Sequence, residues 1–283
     1  ECFQCKLCYI NCPYIPSLHE WALDFPRLML RTDAMRRANG HMSTRNKVTT
    51  AVMGRTDALG KAATSASVVT NVVMGAKSGS LIRKVVEKTA GISSVRLLPP
   101  FAKTRFSTWY KRRPKIRLNN PKAKVAVYPT CMVEYQDPSI GQDLIKVYEH
   151  NGIECTIADN AACCGAPYLH SGDMATFTKV AAKNVANLAA EVRKGNDIVV
   201  PQPTCSYVLK KDYLDYVGGP DAKLVSENTY DAAEYLMKVH KTEGQSLELD
   251  FKGHVPETIT YHTPCHLRAQ NIGLKSRDLM KLT

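Results

Sequence analysis

KVAVYPTC, residues 124–131, decides the fold. Its short apolar run meets a Pro-Thr turn signal and reads as a strand ending in Cys131. Outward from it the same texture repeats. A helix is predicted at about 138–150 and a strand at IECTIAD (153–159). The pair Cys163-Cys164-Gly165 comes next, then a helix over roughly 172–194. DIVVPQPTC (197–205) is a third strand, ending in Cys205, with a helix near 206–216 behind it. TITYHTPC (258–265) repeats the theme up to Cys265. Strands alternating with helices argue an α/β fold: a mostly parallel sheet with helices on its faces. Cys131, Cys205 and Cys265 each follow a strand and an adjacent Pro-Thr or Thr-Pro pair. All three are thus predicted at the carboxyl ends of strands, where open α/β sheets bind ligands.

The second informative stretch is ECFQCKLCYINCPY (1–14), in which Cys2, Cys5, Cys8 and Cys12 follow C-x2-C-x2-C-x3-C and Pro13 completes the pattern. Thiolates at this spacing converge on one iron–sulfur cluster, while the fourth, followed by Pro, reaches a second. A zinc site of four thiolates is the rival, since it too uses C-x2-C pairs, but zinc usually takes two separated pairs. Iron and sulfur fit the run better. A two-cluster module carries two such motifs. No second run follows, and the chain opens at Glu1, one residue before the motif. The expectation is a fragment whose first motif lies upstream.

A length of 283 residues leads one to expect two domains, and a hydrophobic share of 44% supports a core of ordinary size. Every apolar run is broken well before 18 residues, so no transmembrane helix is expected, and no signal peptide is visible. Ten Cys in a chain too long for a small secreted scaffold, two of them adjacent, point to metal binding in a reducing compartment. Charge divides the chain: residues 1–120 hold 21 Lys+Arg against 6 Asp+Glu, and residues 121–283 hold 17 against 20. A basic first half implies an anionic neighbour: a membrane surface, an acidic partner protein or nucleic acid.

After the Cys run, Pro16-Ser17 with Glu20 reads as a helix start with a capping box, and Pro26 as a split or restart. Leu28, Met29, Leu30 and Met35 form an apolar face, arginines a basic one, and Asn39-Gly40 a stop. Such a helix packs over a cluster or lies on a membrane surface. TAVMG (50–54) and NVVMG (71–75) read as the beginnings of comparable helices, and LIRKVVEKTAG (81–91) as a helix ending at Gly91. Residues 105–122 read as a basic connector in which Trp109-Tyr110 either packs on its own protein or sits at a lipid or nucleic-acid surface.

Cys131, Cys163-Cys164-Gly165 and Cys205, separated by 31 and 39 residues, resemble the CCG cysteine-rich domain found in the B subunits of heterodisulfide reductases and their relatives. With the ferredoxin-like run before it, the chain is similar to iron–sulfur oxidoreductases related to heterodisulfide reductase. These include the C subunit of anaerobic glycerol-3-phosphate dehydrogenase and the iron–sulfur subunit of glycolate oxidase. YHTPCHLR (261–268) resembles the opening of a second CCG repeat. The resemblance implies a parallel-sheet CCG domain preceded by a mostly α-helical ferredoxin-like module. Residues 1–40 would be the C-terminal half of that module, 41–122 a basic helical linker, 123–250 the first CCG domain, and 251–283 the truncated start of the second.

By the same resemblance the cofactors are [4Fe–4S] clusters. Cys2, Cys5 and Cys8 would hold one, Cys12 would serve another, and Cys131, Cys163, Cys164 and Cys205 would form the CCG site. Cys265 would open the second site. The family's further Cys, three residues after Cys205, is Val208 here. Cys155 matches no ligand position and reads as a buried strand residue. No dinucleotide fingerprint, Ser-His-Asp set or carboxylate pair stands out. No catalytic residue is assigned, and His262 and His266, flanking Cys265, read as supporting or structural.

The function implied is an electron-transfer subunit linking a flavoprotein dehydrogenase partner to a quinone or similar acceptor, cytoplasmic or peripheral on the inner face of the membrane. The alternative is a catalytic chain of the heterodisulfide reductase type that reduces a disulfide at the CCG cluster. A zinc-stabilised nucleic-acid binder is a third class. With aromatic residues at 7% and few beside the basic runs, stacking on single strands is disfavoured, and no nucleic-acid partner is expected.

Overall fold

A computed structural model describes residues 2–116, 118–158, 160–254 and 256–283. A short helix, α1 (Leu7–Ile10), lies within the Cys run, and α2 (Phe25–Ala38) follows a stretch of turns. The helix start expected at Ser17 does not form. Asp24 caps α2 instead, accepting from the Arg27 N–H at 2.9 Å, and Pro26 sits in the first turn, where its missing N–H costs nothing. Next come α3 (Thr44–Gly54), α4 (Thr56–Ser65), α5 (Ser67–Met74) and α6 (Leu81–Ala90). TAVMG and NVVMG therefore end helices and do not begin them, each with its Gly at or just past the last turn, as C-terminal glycines do.

The connector contains α7 (Phe106–Arg112). Phe106 is fully buried, Trp109 and Tyr110 pack on the same core, and Arg113 pairs with Glu149 while lying over both rings. Its aromatics thus face protein.

The α/β alternation then appears as expected: β1 (Ala123–Val127), α8 (Cys131–Tyr135), α9 (Pro138–His150), β2 (Ile153–Ile157), α10 (Ala166–His170), α11 (Met174–Arg193) and β3 (Asp197–Val200). The predicted end of the second strand, Asp159, lies outside the described residues. After β3 the chain winds continuously through α12 (Pro203–Tyr207), a π-helical turn (Val208–Asp212) and α13 (Tyr213–Tyr216). It continues as α14 (Gly219–Glu227), β4 (Thr229–Asp231), α15 (Ala232–Lys241), α16 (Cys265–Ala269) and α17 (Lys275–Met280).

The four strands are all parallel, in the order β2-β1-β3-β4. Side chains alternate across this sheet, and both faces are covered. Val125, Val127 and Val199 face a core with α7, α9 and α15, whereas Ala126, Tyr128, Ile198 and Val200 face one built on α11 and α14. The short edge strand β4 escapes pattern reading because three residues show no period. It exists by pairing with β3, and Asp231 at its end opens α15 through a capping box with Glu234. TITYHTPC behaves otherwise: residues 258–264 are mostly exposed and make no strand pairing. A strand without a neighbour leaves its N–H and C=O groups to water and has little stability of its own.

The N-terminal segment is docked on this domain. Leu30 of α2 enters the sheet core, Arg37 pairs with Asp173 at 2.7 Å, and Arg27 pairs with Asp215. Gly172 permits the approach. Its φ is +74°, and a Cβ there would come within 2.5 Å of the Asp33 and Ala34 backbone. Replacing Gly172 with Ala should cost about 2 to 4 kcal/mol through strain plus overpacking, read as a lower melting temperature with the sheet intact by circular dichroism.

The π turn ends at Asp212, which is 3% exposed and whose Oδ2 has no hydrogen-bond partner. It lines a cavity of about 890 Å3 with Lys6, Tyr9, Arg27 and Tyr207. Burial pushes its carboxyl up to about 7, against the opposing pull of Lys6. Below about pH 4 the group is protonated folded or unfolded. As pH rises toward 7 only the unfolded state ionises, so stability is lost, with an upper bound of about 4 kcal/mol. The Asp212→Asn variant lacks this loss. Its melting temperature should match wild type near pH 4 and exceed it above pH 7; a constant difference across that range would contradict the assignment.

Candidate functional site

The strand order reverses direction between β1 and β3, since β1 leads to β2 on one side while β3 and β4 lie on the other. At such a switch point the connecting segments part and leave a crevice at the carboxyl edge. Cys131 follows β1 as the first residue of α8, and Cys205 follows β3 within α12. Cys163 and Cys164 arrive from the loop after β2. The side chains interact in a row: Cys131 with Cys163, Cys163 with Cys164, and Cys164 with Cys205. Cys163, Cys164 and Cys205 are buried and Cys131 is half-buried. Among the described residues no three His, Cys, Asp or Glu side chains converge as they would around one metal ion. The thiols form a row, not a shell.

The CCG turn is fixed by backbone accounting. Three successive carbonyls are all engaged: Ala162 accepts from the Tyr128 hydroxyl and from the Asn184 amide at 3.4 Å, Cys163 from the Asn184 amide at 3.1 Å, and Cys164 from the Tyr213 hydroxyl at 3.0 Å. The Ala162 N–H returns a bond to Asn184 Oδ1 at 2.9 Å. Gly165, with φ of +86°, turns the chain into α10. Its position beneath the Phe177 ring leaves no room for a Cβ.

The Cys163 N–H goes to a residue the sequence reading missed. Asp57 of α4 accepts it at 2.7 Å, and the neighbouring Thr56 hydroxyl lies 3.7 Å from Cys163 Sγ. No local signal could have found this pair, because it lies 106 positions from its target. The result is a graded row of thiols. Hydrogen bonds from Cys131 and Cys164, then the Gly165 N–H and Thr56, draw the Cys163 thiol down against the effect of burial. Its two neighbours are pushed up, each chiefly by donating to Cys163 and next, or third for Cys164, by burial.

The N-terminal cysteines are more open: Cys8 is exposed, and Cys2, Cys5 and Cys12 are half-buried. Gln4 and Lys6 adopt left-handed φ values of 55° and 63°, curling the run so that the Gln4 N–H and side-chain amide both face Cys2 Sγ at 3.4 Å. Backbone N–H groups turned inward by such a curl favour anionic sulfur. Cys265 begins α16, which packs between α1 and α12.

The next residue joins the two cysteine regions. His266, 9% exposed, bonds through Nε2 to the Gln4 carbonyl at 2.7 Å and through Nδ1 to the Thr204 hydroxyl at 3.0 Å. A carbonyl only accepts, so Nε2 carries the proton; burial lowers the ring's affinity for a second one, leaving Nδ1 to accept from Thr204. His262 makes no such bridge among the described residues. Cys155 lies on β2, 5% exposed, in the core on the α7–α9 side, as the sequence reading has it.

Four sulfurs, mostly buried and supplied by α8, α12 and the CCG turn at one sheet edge, suit a group held wholly by thiolates. The residues present fit an iron–sulfur group, and this donor set excludes the oxygen-ligated ions such as calcium and magnesium.

Residues 125–210 match the CCG cysteine-rich domain family. The chain is 27% identical over 251 residues to the C subunit of anaerobic glycerol-3-phosphate dehydrogenase of Escherichia coli, covering 88% of this chain and 61% of that protein. It is 27% identical over 164 residues to the B subunit of fumarate reductase (CoM/CoB) of Methanothermobacter marburgensis, covering 57% of this chain and 29% of that protein. Lactate utilization protein A of Bacillus pumilus is 29% identical over 154 residues, covering 51% and 58%. The chain thus spans less than two thirds of the length of each of these relatives. No solved structure matches. Sheet topology, the CCG turn and these similarities agree: the chain carries a CCG cysteine-rich domain over residues 125–210 and is related to the oxidoreductase subunits just named.

Proposed function

We propose that this chain is an iron–sulfur electron-transfer subunit, passing electrons from a flavoprotein dehydrogenase partner to a quinone or a similar acceptor. The observation that carries the reading is the row Cys131–Cys163–Cys164–Cys205 at the sheet's switch point. Cys2, Cys5, Cys8 and Cys12 are the ligands proposed for the ferredoxin-like module, and Cys265 for a second CCG site. [4Fe–4S] clusters at these thiolates would supply one-electron storage. The protein's own part is to position and shield. The Tyr128, Asn184 and Tyr213 network holds the CCG turn, α3 and α4 cover it, and His266 ties the N-terminal run to α12, which bears Cys205.

Relatives named as subunits of a dehydrogenase and a reductase support a catalytic partner for this chain. The charge excess of residues 1–120 suits an acidic partner or the inner face of a membrane. Among the described residues no helix is long and apolar enough to cross one, which leaves a peripheral contact as the form proposed. Disulfide reduction at the CCG site is the weaker reading, because Val208, in place of the family's further Cys, is fully buried in the sheet core.

Anaerobically purified protein should be brown and contain iron and acid-labile sulfide in comparable amounts. Cys131→Ser and Cys205→Ser should each lose the iron and sulfide of one centre, while Cys155→Ala keeps both. Stoichiometric zinc without sulfide, or the same iron loss from Cys155→Ala as from Cys205→Ser, would overturn the proposal.

A further inference from the structure

Helices α3 and α4 come from the least legible part of the sequence, outside the matched domain, yet they close over its thiols. Two glycines set how near they come. A Cβ on Gly54 would run into the Tyr168 ring, and one on Gly60 would fall 2.5 Å from the Tyr135 ring. Tyr168 belongs to α10, directly after the CCG turn, and Tyr135 to α8, directly after Cys131. The helix pair is thus clamped against both cysteine-bearing turns, and Thr56 and Asp57 lie between the two clamps.

Of these two, Asp57 has the stronger hold. A hydroxyl has one proton, and Thr56 already reaches the Met53 carbonyl at 2.7 Å, so its 3.7 Å contact with Cys163 Sγ is secondary. The Asp57 carboxylate accepts on both oxygens, from the Cys163 N–H at 2.7 Å and the Tyr135 O–H at 3.1 Å. Its charge therefore sits against the backbone of a cysteine in the middle of the thiol row. A fixed negative charge beside a thiolate-held redox group opposes the arrival of an electron. Hydrogen bonds and charge around such ligands are among the protein's means of setting a potential.

We propose that Asp57 is a positioning residue of the CCG site, which holds Cys163 by its N–H and lowers the reduction potential of the iron–sulfur group bound there. This rests on the iron–sulfur reading above. Tyr135 acts in the opposite sense, because its O–H offsets part of the carboxylate's charge.

The test is an EPR-monitored redox titration of the iron–sulfur-loaded protein, one electron per centre being supplied by dithionite. Asp57→Asn keeps the size and an acceptor for the Cys163 N–H but removes the charge. Its midpoint should rise by enough to change the oxidised-to-reduced ratio at fixed potential at least tenfold, about 59 mV for one electron. Tyr135→Phe keeps the ring over Gly60 and should shift the midpoint the other way, a sign that a merely structural role does not give. A readout that needs no cluster is amide exchange at Cys163. It should quicken at least tenfold in Asp57→Ala and stay near wild type in Asp57→Asn. Normal iron content with unchanged midpoints in Asp57→Asn and Tyr135→Phe overturns this inference and leaves the proposed function standing. A wild-type protein without any iron–sulfur signal overturns both. Should Asp57→Asn fail to fold, the Tyr135→Phe shift decides, its absence counting against the proposal.

Discussion

The site depends on one buried amide. Asn184 is fully buried in the middle of α11, where an unsatisfied side chain would cost on the order of 1–3 kcal/mol. It is satisfied by the CCG turn and the tyrosines beside it, accepting from the Ala162 N–H and donating to the Cys163 carbonyl and the Tyr213 hydroxyl, with longer contacts to the Ala162 carbonyl and the Tyr128 hydroxyl. Helix and turn therefore require each other. Because α11 is anchored by Phe177, Ala181, Val185 and Leu188 in the sheet core, the turn inherits the rigidity of that core. The turn bearing Cys163 and Cys164 is thereby held at one sheet edge by the protein's own hydrogen bonds, which reduces the ordering cost of binding a group there.

What could be read in advance follows from the range of each interaction. The strands β1, β2 and β3 and helices α9 and α11 were legible because they rest on local patterns: apolar runs, Pro-Thr turns and long amphipathic stretches. The emergence of Cys131 and Cys205 at one edge followed from parallel topology alone. The reversal that places them on neighbouring strands did not, because strand order is a property of pairing and not of any one segment. The strand expected at 258–264 shows the converse. Its residues carry the pattern, but pattern without an adjacent edge yields no strand.

The segment from 41 to 104 was opaque for a further reason. Its informative residues are glycines that let rings approach and an Asp-Thr pair that meets a partner more than a hundred positions away. Composition shows only basic helices there. A glycine at a helix end reads as punctuation. Gly54 is both that and a clearance for Tyr168, and only the fold distinguishes the two uses.

His266 places the two cysteine regions in one framework. Its ring spans from the backbone between Cys2 and Cys5 to the residue before Cys205, with Tyr207 stacked on it at 5.3 Å between centroids. Gln270, one turn on, adds bonds to Ser206 and the Pro203 carbonyl, so α16 is fastened to α12 at several points. The one-electron relay proposed for this chain would need fixed separations more than acid–base groups. A neutral, buried imidazole with both nitrogens engaged serves that need: a rigid strut, with its donor and acceptor each assigned. The docking of Leu30 and the Arg37–Asp173 pair fix the N-terminal segment from its other end. Residues 2–38 are thus held to the sheet domain at both ends by packing and hydrogen bonds.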